Sequence, residues 1–164
     1  MRVAVLTVSD AGARGERQDS SGDAIVAWAA RHGWPVSARD LVPDETTRIA
    51  GVIQRWCDDD AADLVVTTGG TGLSPRDVTP EATRAVIERE APGIAERIRA
   101  VCMDSFPRAA LSRGVSGSRG RTLVVNLAGS PGGVRDGLAA LDPIVEHAVQ
   151  ILRGEVTDHS RRTP

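Results

Sequence analysis

Three short runs of aliphatic and β-branched residues punctuate this chain, and each gives way to a glycine- or serine-rich turn that opens a helix. They are VAVLTV at residues 3–8, DLVVTT at 63–68 and RTLVVNL at 121–127. Their apolar residues do not alternate with polar ones, so the runs predict strands covered on both faces. Helices at 22–31, 80 to about 90, 93–103 and from the 127–133 turn to about 152 supply the cover, as does one whose apolar face is Ile49, Val52, Ile53 and Trp56. Residues 36–42 read as a weaker strand, and 10–21 as a polar loop. The expectation is a three-layer α/β/α domain with a mostly parallel sheet, helices on both faces and right-handed crossovers. Ligands of such sheets sit beyond the carboxyl ends of the strands. The turns at 9–22, 68–78 and 127–133 should therefore gather at one edge.

Length and composition narrow the chemistry. A chain of 164 residues without a composition break reads as one domain over residues 1–153, followed by a polar tail at 154–164 expected to be disordered. Only 2% of residues are aromatic, so the core is aliphatic and stacking platforms for single-stranded nucleic acid are lacking. All 20 basic residues are arginine, which excludes a P-loop lysine, a Schiff-base lysine and a lysyl-adenylate. With a net charge of −2, no global field draws nucleic acid or anionic lipid, and anion binding has to be local. Cys57 and Cys102, far apart and without metal-ligand spacing, read as buried reduced thiols. No leader pattern and no apolar run of about 18–20 residues is present, so the expectation is a soluble cytoplasmic protein without a membrane partner.

The richest segment is TTGGTGLSPRDVTPEAT at 67–83. Its glycines, Gly69, Gly70 and Gly72, let the main chain approach a ligand, and successive free N–H groups in such a loop form an anion nest. Arg76-Asp77 places a cation beside a carboxylate, and Thr79-Pro80-Glu81 reads as N-cap, N1 proline and first-turn acid. One segment can thus hold both a phosphate and a hard cation. A second cluster is Ser9-Asp10 with Asp19-Ser20-Ser21-Gly22, where Ser20 or Ser21 is either a helix cap or an anion contact. A third runs from Asn126 to Gly133, with Ser130 as cap and Pro131 at N1. Asp44, after the second strand, is an N-cap, a functional carboxylate or both. Asp58-Asp59-Asp60 reads as a solvated helix end, and His32, His147 and His159 as surface or helix-end residues. GGTG is not GxGxxG and does not follow the first strand, so a dinucleotide-binding fingerprint is set aside.

Together the segments TVSDAGARGERQDSSG (7–22), VPDE (42–45), the glycine-loop run and ALSRGVSGSRGRTLVVNLAGSP (110–131) resemble the molybdopterin adenylyltransferases of molybdenum-cofactor biosynthesis. The resemblance spans nearly the whole chain up to the tail. It implies a homotrimeric enzyme that joins AMP from ATP to molybdopterin with Mg²⁺, releases pyrophosphate, and hands its product to a molybdate-inserting enzyme. By motif position, Asp77 and Asp44 are the catalytic and metal-binding aspartates. Ser9, Asp10, Asp19, Ser20, Ser21, Gly22, Thr68, Gly69, Gly70, Thr71, Gly72, Asn126, Gly129, Ser130 and Pro131 form the substrate-binding set. Where the family often carries a lysine after the last motif, this chain has Gly132, leaving Arg113, Arg119 and Arg135 as candidate replacements. The nucleophile implied, a terminal phosphate, is already an anion and needs no general base, so the two aspartates are assigned to metal binding and orientation. Two other readings share the fold: a non-catalytic molybdopterin-binding protein, and a nucleotide pyrophosphatase of the competence-damage type.

Overall fold

The computed structural model describes residues 1–155; the rest of the predicted tail lies outside the described residues. Six strands form one sheet: β1 (Val3–Val8), β2 (Val36–Val42), β3 (Leu64–Thr68), β4 (Arg89–Glu90), β5 (Ser116–Arg119) and β6 (Thr122–Leu127). Their spatial order is β2-β1-β3-β6-β5-β4. In that order the first four strands are parallel, β5 runs antiparallel to β6, and β4 runs antiparallel to β5. Helices α1 (Asp10–Ala13), α2 (Ser20–Arg31), α3 (Thr46–Asp58), α4 (Thr79–Arg84), α5 (Pro92–Ser105) and α6 (Pro131–Arg153) connect them, with a 3₁₀ turn at Pro107–Leu111.

The unbroken apolar runs behave as covered strands should. Successive side chains point to opposite faces, so β1 contributes to two separate cores. Val3 and Val5 pack with Ile25, Trp28 and Ala29 of α2 and with Val134, Leu138, Leu141 and Val145 of α6. Ala4, Leu6 and Val8 pack with Ile49, Ile53 and Trp56 of α3 and Ala82 of α4. This is the expected three-layer α/β/α arrangement. Cys57 and Cys102 are free and buried, and burial pushes the Cys57 thiol up to about 11.

Several local expectations are corrected. The helix expected from residue 80 to about 90 stops at Arg84, and Arg89–Glu90 pairs with Ser118 and Gly117 instead. The partner strand β5, Ser-Gly-Ser-Arg, has almost no intrinsic strand preference and was not anticipated; pairing with β6 on one side and β4 on the other dictates it. The polar loop after β1 contains the short helix α1, capped by Ser9, whose side chain accepts the Gly12 N–H. Capping of α2 falls to Asp19, not to Ser20 or Ser21. Thr79 lies inside α4 rather than capping it, and its hydroxyl donates to the Gly69 carbonyl at 2.9 Å. Glu45, not Asp44, is the N-cap of α3. Ser130 caps α6 as expected, accepting the Gly133 N–H at 3.1 Å.

Candidate active site

The three turns do meet at the carboxyl edge of the parallel strands. Thr68 Oγ1 donates to Ala128 O at 2.7 Å, and Ser21 Oγ donates to Gly129 O at 2.8 Å, joining the turn after β6 to the glycine loop and to α2. Gly69 and Gly70 take φ of 97° and 62°, in the left-handed region. A Cβ on Gly69 would collide with the Val8 carbonyl, and one on Gly70 would lie 2.9 Å from Asp44 Oδ1. Glycine is required at both positions because backbone and carboxylate close in from two sides.

Beyond this edge lies a cleft of two lobes. The smaller, about 360 Å³, is bounded by Ser9, Asp19, Ser21, Asp44, Thr68 and Gly69. The larger, about 720 Å³, is bounded by Thr71, Gly72, Asn126 and Ala128 and, on its apolar side, by Ile98, Phe106 and Leu111. Gly70, Asp77, Gly129 and Ser130 belong to both, so the glycine loop and the turn after β6 make one shared wall.

The two aspartates assigned to the metal face the smaller lobe together. Asp44 Oδ2 accepts the Asp10 N–H at 2.8 Å, and Asp77 Oδ2 accepts the Ser74 N–H at 2.9 Å. The Oδ1 atom of each accepts no hydrogen bond from the described residues. Burial raises the Asp44 carboxyl above its ordinary range, and the nearby charges of Asp10 and Asp77 push the same way. Two close, partly dehydrated carboxylates suit a small hard cation, which prefers oxygen donors and takes phosphate oxygens and water as its remaining ligands. No group of three or more His, Cys, Asp or Glu side chains placed to hold a metal ion occurs among the described residues, so further oxygens, from phosphate or water among others, would complete the coordination.

Other members of the expected set are engaged with the protein itself. Asn126 is 4% exposed; its amide donates to Thr67 and Thr83 hydroxyls, both at 2.9 Å, and its oxygen accepts the Val115 N–H. It braces the wall of the larger lobe. Asp19 accepts from Gly22 N–H, Thr7 Oγ1 and the Arg39 guanidinium. Asp10 pairs with Arg76 through two hydrogen bonds of 3.0 and 2.9 Å, and Arg76 holds its carboxyl below the usual carboxylate range. Ser20, Gly22 and Pro131 lie outside both lobes, at the first turns of α2 and α6.

The arginines also redistribute. Arg119 sits at the far end of the sheet, bonded to Asp58, because antiparallel β5 runs away from the cleft. Arg113 is turned onto the glycine loop. Arg135 is exposed on α6, outside both lobes. The cations at the cleft are instead Arg17 in the smaller lobe and Arg99 and Arg108 in the larger. Arg17 lies within the 7–22 segment but is not among its candidate residues; no motif marks Arg99 or Arg108, although Phe106, beneath the Arg108 guanidinium at 5.1 Å, is the sole phenylalanine of the chain.

Known proteins share this fold and much of this sequence. A family model described as "Probable molybdopterin binding domain" matches residues 4–147. A molybdopterin adenylyltransferase from Helicobacter pylori is 36% identical over 156 residues, covering 94% of this chain and 89% of its own. The crystal structure of the molybdopterin biosynthesis enzyme MoaB from Thermus thermophilus superposes with a TM-score of 0.88 at 52% identity, covering 93% of this chain and 96% of that one. A tungsten cofactor synthesizing protein MoaB from Pyrococcus furiosus gives a TM-score of 0.84 at 32% identity, covering 93% and 96%.

Proposed function

This chain belongs to the molybdopterin-binding domain family, and we propose that it is a nucleotidyltransferase of molybdenum-cofactor biosynthesis that transfers AMP from ATP to the terminal phosphate of molybdopterin. The observation that carries this reading is the shared wall. Two lobes, one polar and one with an apolar side, meet at Gly70, Asp77, Gly129 and Ser130. A reaction joining two phosphate-bearing substrates requires such a meeting point. The relatives named adenylyltransferases support the chemistry.

In this reading a terminal phosphate oxygen of molybdopterin attacks the α-phosphorus of ATP, the bond to the β-phosphate oxygen breaks, and pyrophosphate leaves with the electron pair. No proton has to move. The obstacle is repulsion between two anions, so the protein's contribution is positioning and charge neutralisation. The N–H groups of the glycine loop and of the capped first turn of α6 receive phosphate oxygens. Arg17, Arg99 and Arg108 stand where they offset the remaining negative charge. Asp44 and Asp77 would hold Mg²⁺, which when bound neutralises phosphate charge and orients the phosphates. The homotrimer, delivery of product to a molybdate-inserting enzyme and a cytoplasmic setting belong to the same proposal. None of the described helices is long and apolar enough to cross a membrane.

The test is mass spectrometry of the products formed from molybdopterin, ATP and Mg²⁺. Adenylylated molybdopterin with stoichiometric pyrophosphate is expected. Binding of molybdopterin without product identifies a binding protein instead, and pyrophosphate release independent of the pterin identifies a nucleotide hydrolase.

A further inference from the structure

The segment that carries Asp77 has little of its own to hold it in place. Residues 73–76 are exposed, Leu73 to 65%. Local order within it comes from three short-range bonds, Asp77 N–H to Ser74 O at 2.9 Å, Ser74 N–H to Asp77 Oδ2 at 2.9 Å and Arg76 N–H to Ser74 Oγ at 3.3 Å. Two ties join it to the rest of the molecule: Arg76 pairs with Asp10 after β1, and a single side chain from a different element reaches over it. Arg113, just after the 3₁₀ turn, donates its main-chain N–H to Thr71 O at 2.8 Å. Its Nε donates to Gly72 O at 2.7 Å and its Nη2 to Asp77 O at 2.6 Å. Nη1 and Nη2 also meet the Glu81 carboxylate on the first turn of α4.

One planar fork therefore grips the start of the loop, its end and the helix it leads into. Such geometry suits arginine's rigid set of five donors and not the single point of a lysine. With its donors directed at two carbonyls and a neutralising carboxylate, the group is poorly available to a phosphate. We propose that Arg113 is a positioning residue for adenylyl transfer, holding the loop at residues 71–77 so that Asp77 keeps its place in the wall common to both lobes. It acts through Asp77 and not on substrate. This inference rests on the transfer reading above.

A double-mutant cycle tests it. Arg113→Ala, Asp77→Asn and the double variant are assayed with ATP, molybdopterin and Mg²⁺, and hydrogen exchange is followed in the ligand-free proteins. Arg113→Ala is expected to lower kcat about 100-fold, the scale of an ångström-sized misplacement, with both KM values within about threefold of wild type. Added to Asp77→Asn, the same change lowers kcat little further. Arg113→Lys, which keeps the charge and loses the fork, does not restore the rate. Exchange of the Asp77 amide rises about tenfold while the amides of β3 and β6 keep their protection. Should Arg113→Ala fail to fold, Arg113→Lys and Glu81→Gln carry the same cycle, with the same coupling expected. Losses that simply multiply overturn the inference, as does a raised KM for ATP at unchanged kcat, which would make Arg113 a phosphate contact. Full turnover by Asp77→Asn alone overturns the role of Asp77 in the transfer reading itself.

Discussion

Asp10 and Asp44 exchange main-chain hydrogen bonds: the Asp10 N–H donates to Asp44 Oδ2 at 2.8 Å, and the Asp44 N–H donates to Asp10 Oδ1 at 3.0 Å. The exchange locks the turn after β1 to the turn after β2. Arg76, from the loop that carries Asp77, closes the set by pairing with Asp10. Asp44 is thereby held in a place where its charge is poorly hydrated.

The first expected consequence is a trade between stability and function at Asp44. Burial raises its folded-state pKa above the unfolded value, so its ionised form weakens the ligand-free fold at neutral pH. Asp44→Asn, which keeps an acceptor for the Asp10 N–H, is expected to melt at a higher temperature than wild type at pH 7 while losing turnover. The gain shrinks as pH falls through the raised value and is gone below the ordinary carboxylate pKa of about 4. Thermal melts across pH check this; an Asn variant less stable at pH 7 contradicts it.

Asp77→Asn is expected to keep the fold and most nucleotide binding yet lose turnover by about 3–4 kcal/mol of transition-state stabilisation. Product formation and nucleotide affinity measured on the same preparation separate the two effects. An unchanged rate removes Asp77 from the chemistry.

At the opposite end of the sheet, Asp63 accepts the Arg2 N–H at 2.5 Å and pairs with the Arg2 and Arg153 guanidinium groups. Burial pushes its carboxyl up, but these hydrogen bonds and charges outweigh it and hold the pKa below the ordinary 3.8. A lowered folded-state value contributes stability above the unfolded pKa and loses it as pH falls through the folded one. Asp63→Asn is expected to cost about 2 kcal/mol at pH 7, since it removes one of the two carboxylates paired with the 9%-exposed Arg153 side chain, leaving Asp60 alone. From about pH 4 downward the wild type begins to lose that advantage, progressively as pH falls through the lowered folded-state value. Denaturant unfolding at pH 7 and pH 3 reads both.

The indole N–H of Trp28, 1% exposed, donates to Asp142 Oδ1 at 2.6 Å, where His32 also meets the same oxygen. Asp142→Ala strands a buried donor and is expected to destabilise the fold by about 2 kcal/mol, whereas Asp142→Asn keeps an acceptor and costs less. Chemical denaturation followed by tryptophan fluorescence distinguishes them; equal losses would mean that packing, not the hydrogen bond, matters at this site.

The sequence motifs pointed to the cleft, but they were less informative about what individual side chains do there. Asp44 and Asp77 emerged from VPDE and SPRDVTPE, and both face one lobe. Ser9 and Asp19 stand in the 7–22 segment and Asn126 in the 110–131 segment, yet their hydrogen bonds go to the protein's own N–H groups and side chains. Motif membership marks a residue as part of a local design and does not distinguish a group aimed at a ligand from one that supports it. Arg99, Arg108 and Phe106 carry no period or spacing that would mark them, and Arg17 stands in the 7–22 segment with nothing local to set it apart from Arg14.

The amino-acid sequence by itself determined the covered strands, the α/β/α layering, the glycine loop and the edge where the turns meet. These follow from side-chain periodicity and from backbone conformations open mainly to glycine, both of which act over a few residues. Tertiary structure alone decided that Ser116–Arg119 is a strand, that the fourth helix ends at Arg84, that Asp44 bonds to Asp10 instead of capping α3, and that Arg113 grips the loop carrying Asp77. Each is a contact between groups distant in sequence, worth about 1–3 kcal/mol when it joins a hydrogen-bonding group to a partner. Energies of that size override the weak local preferences of Ser, Asp and Arg, but they exist only after the chain has brought the partners together.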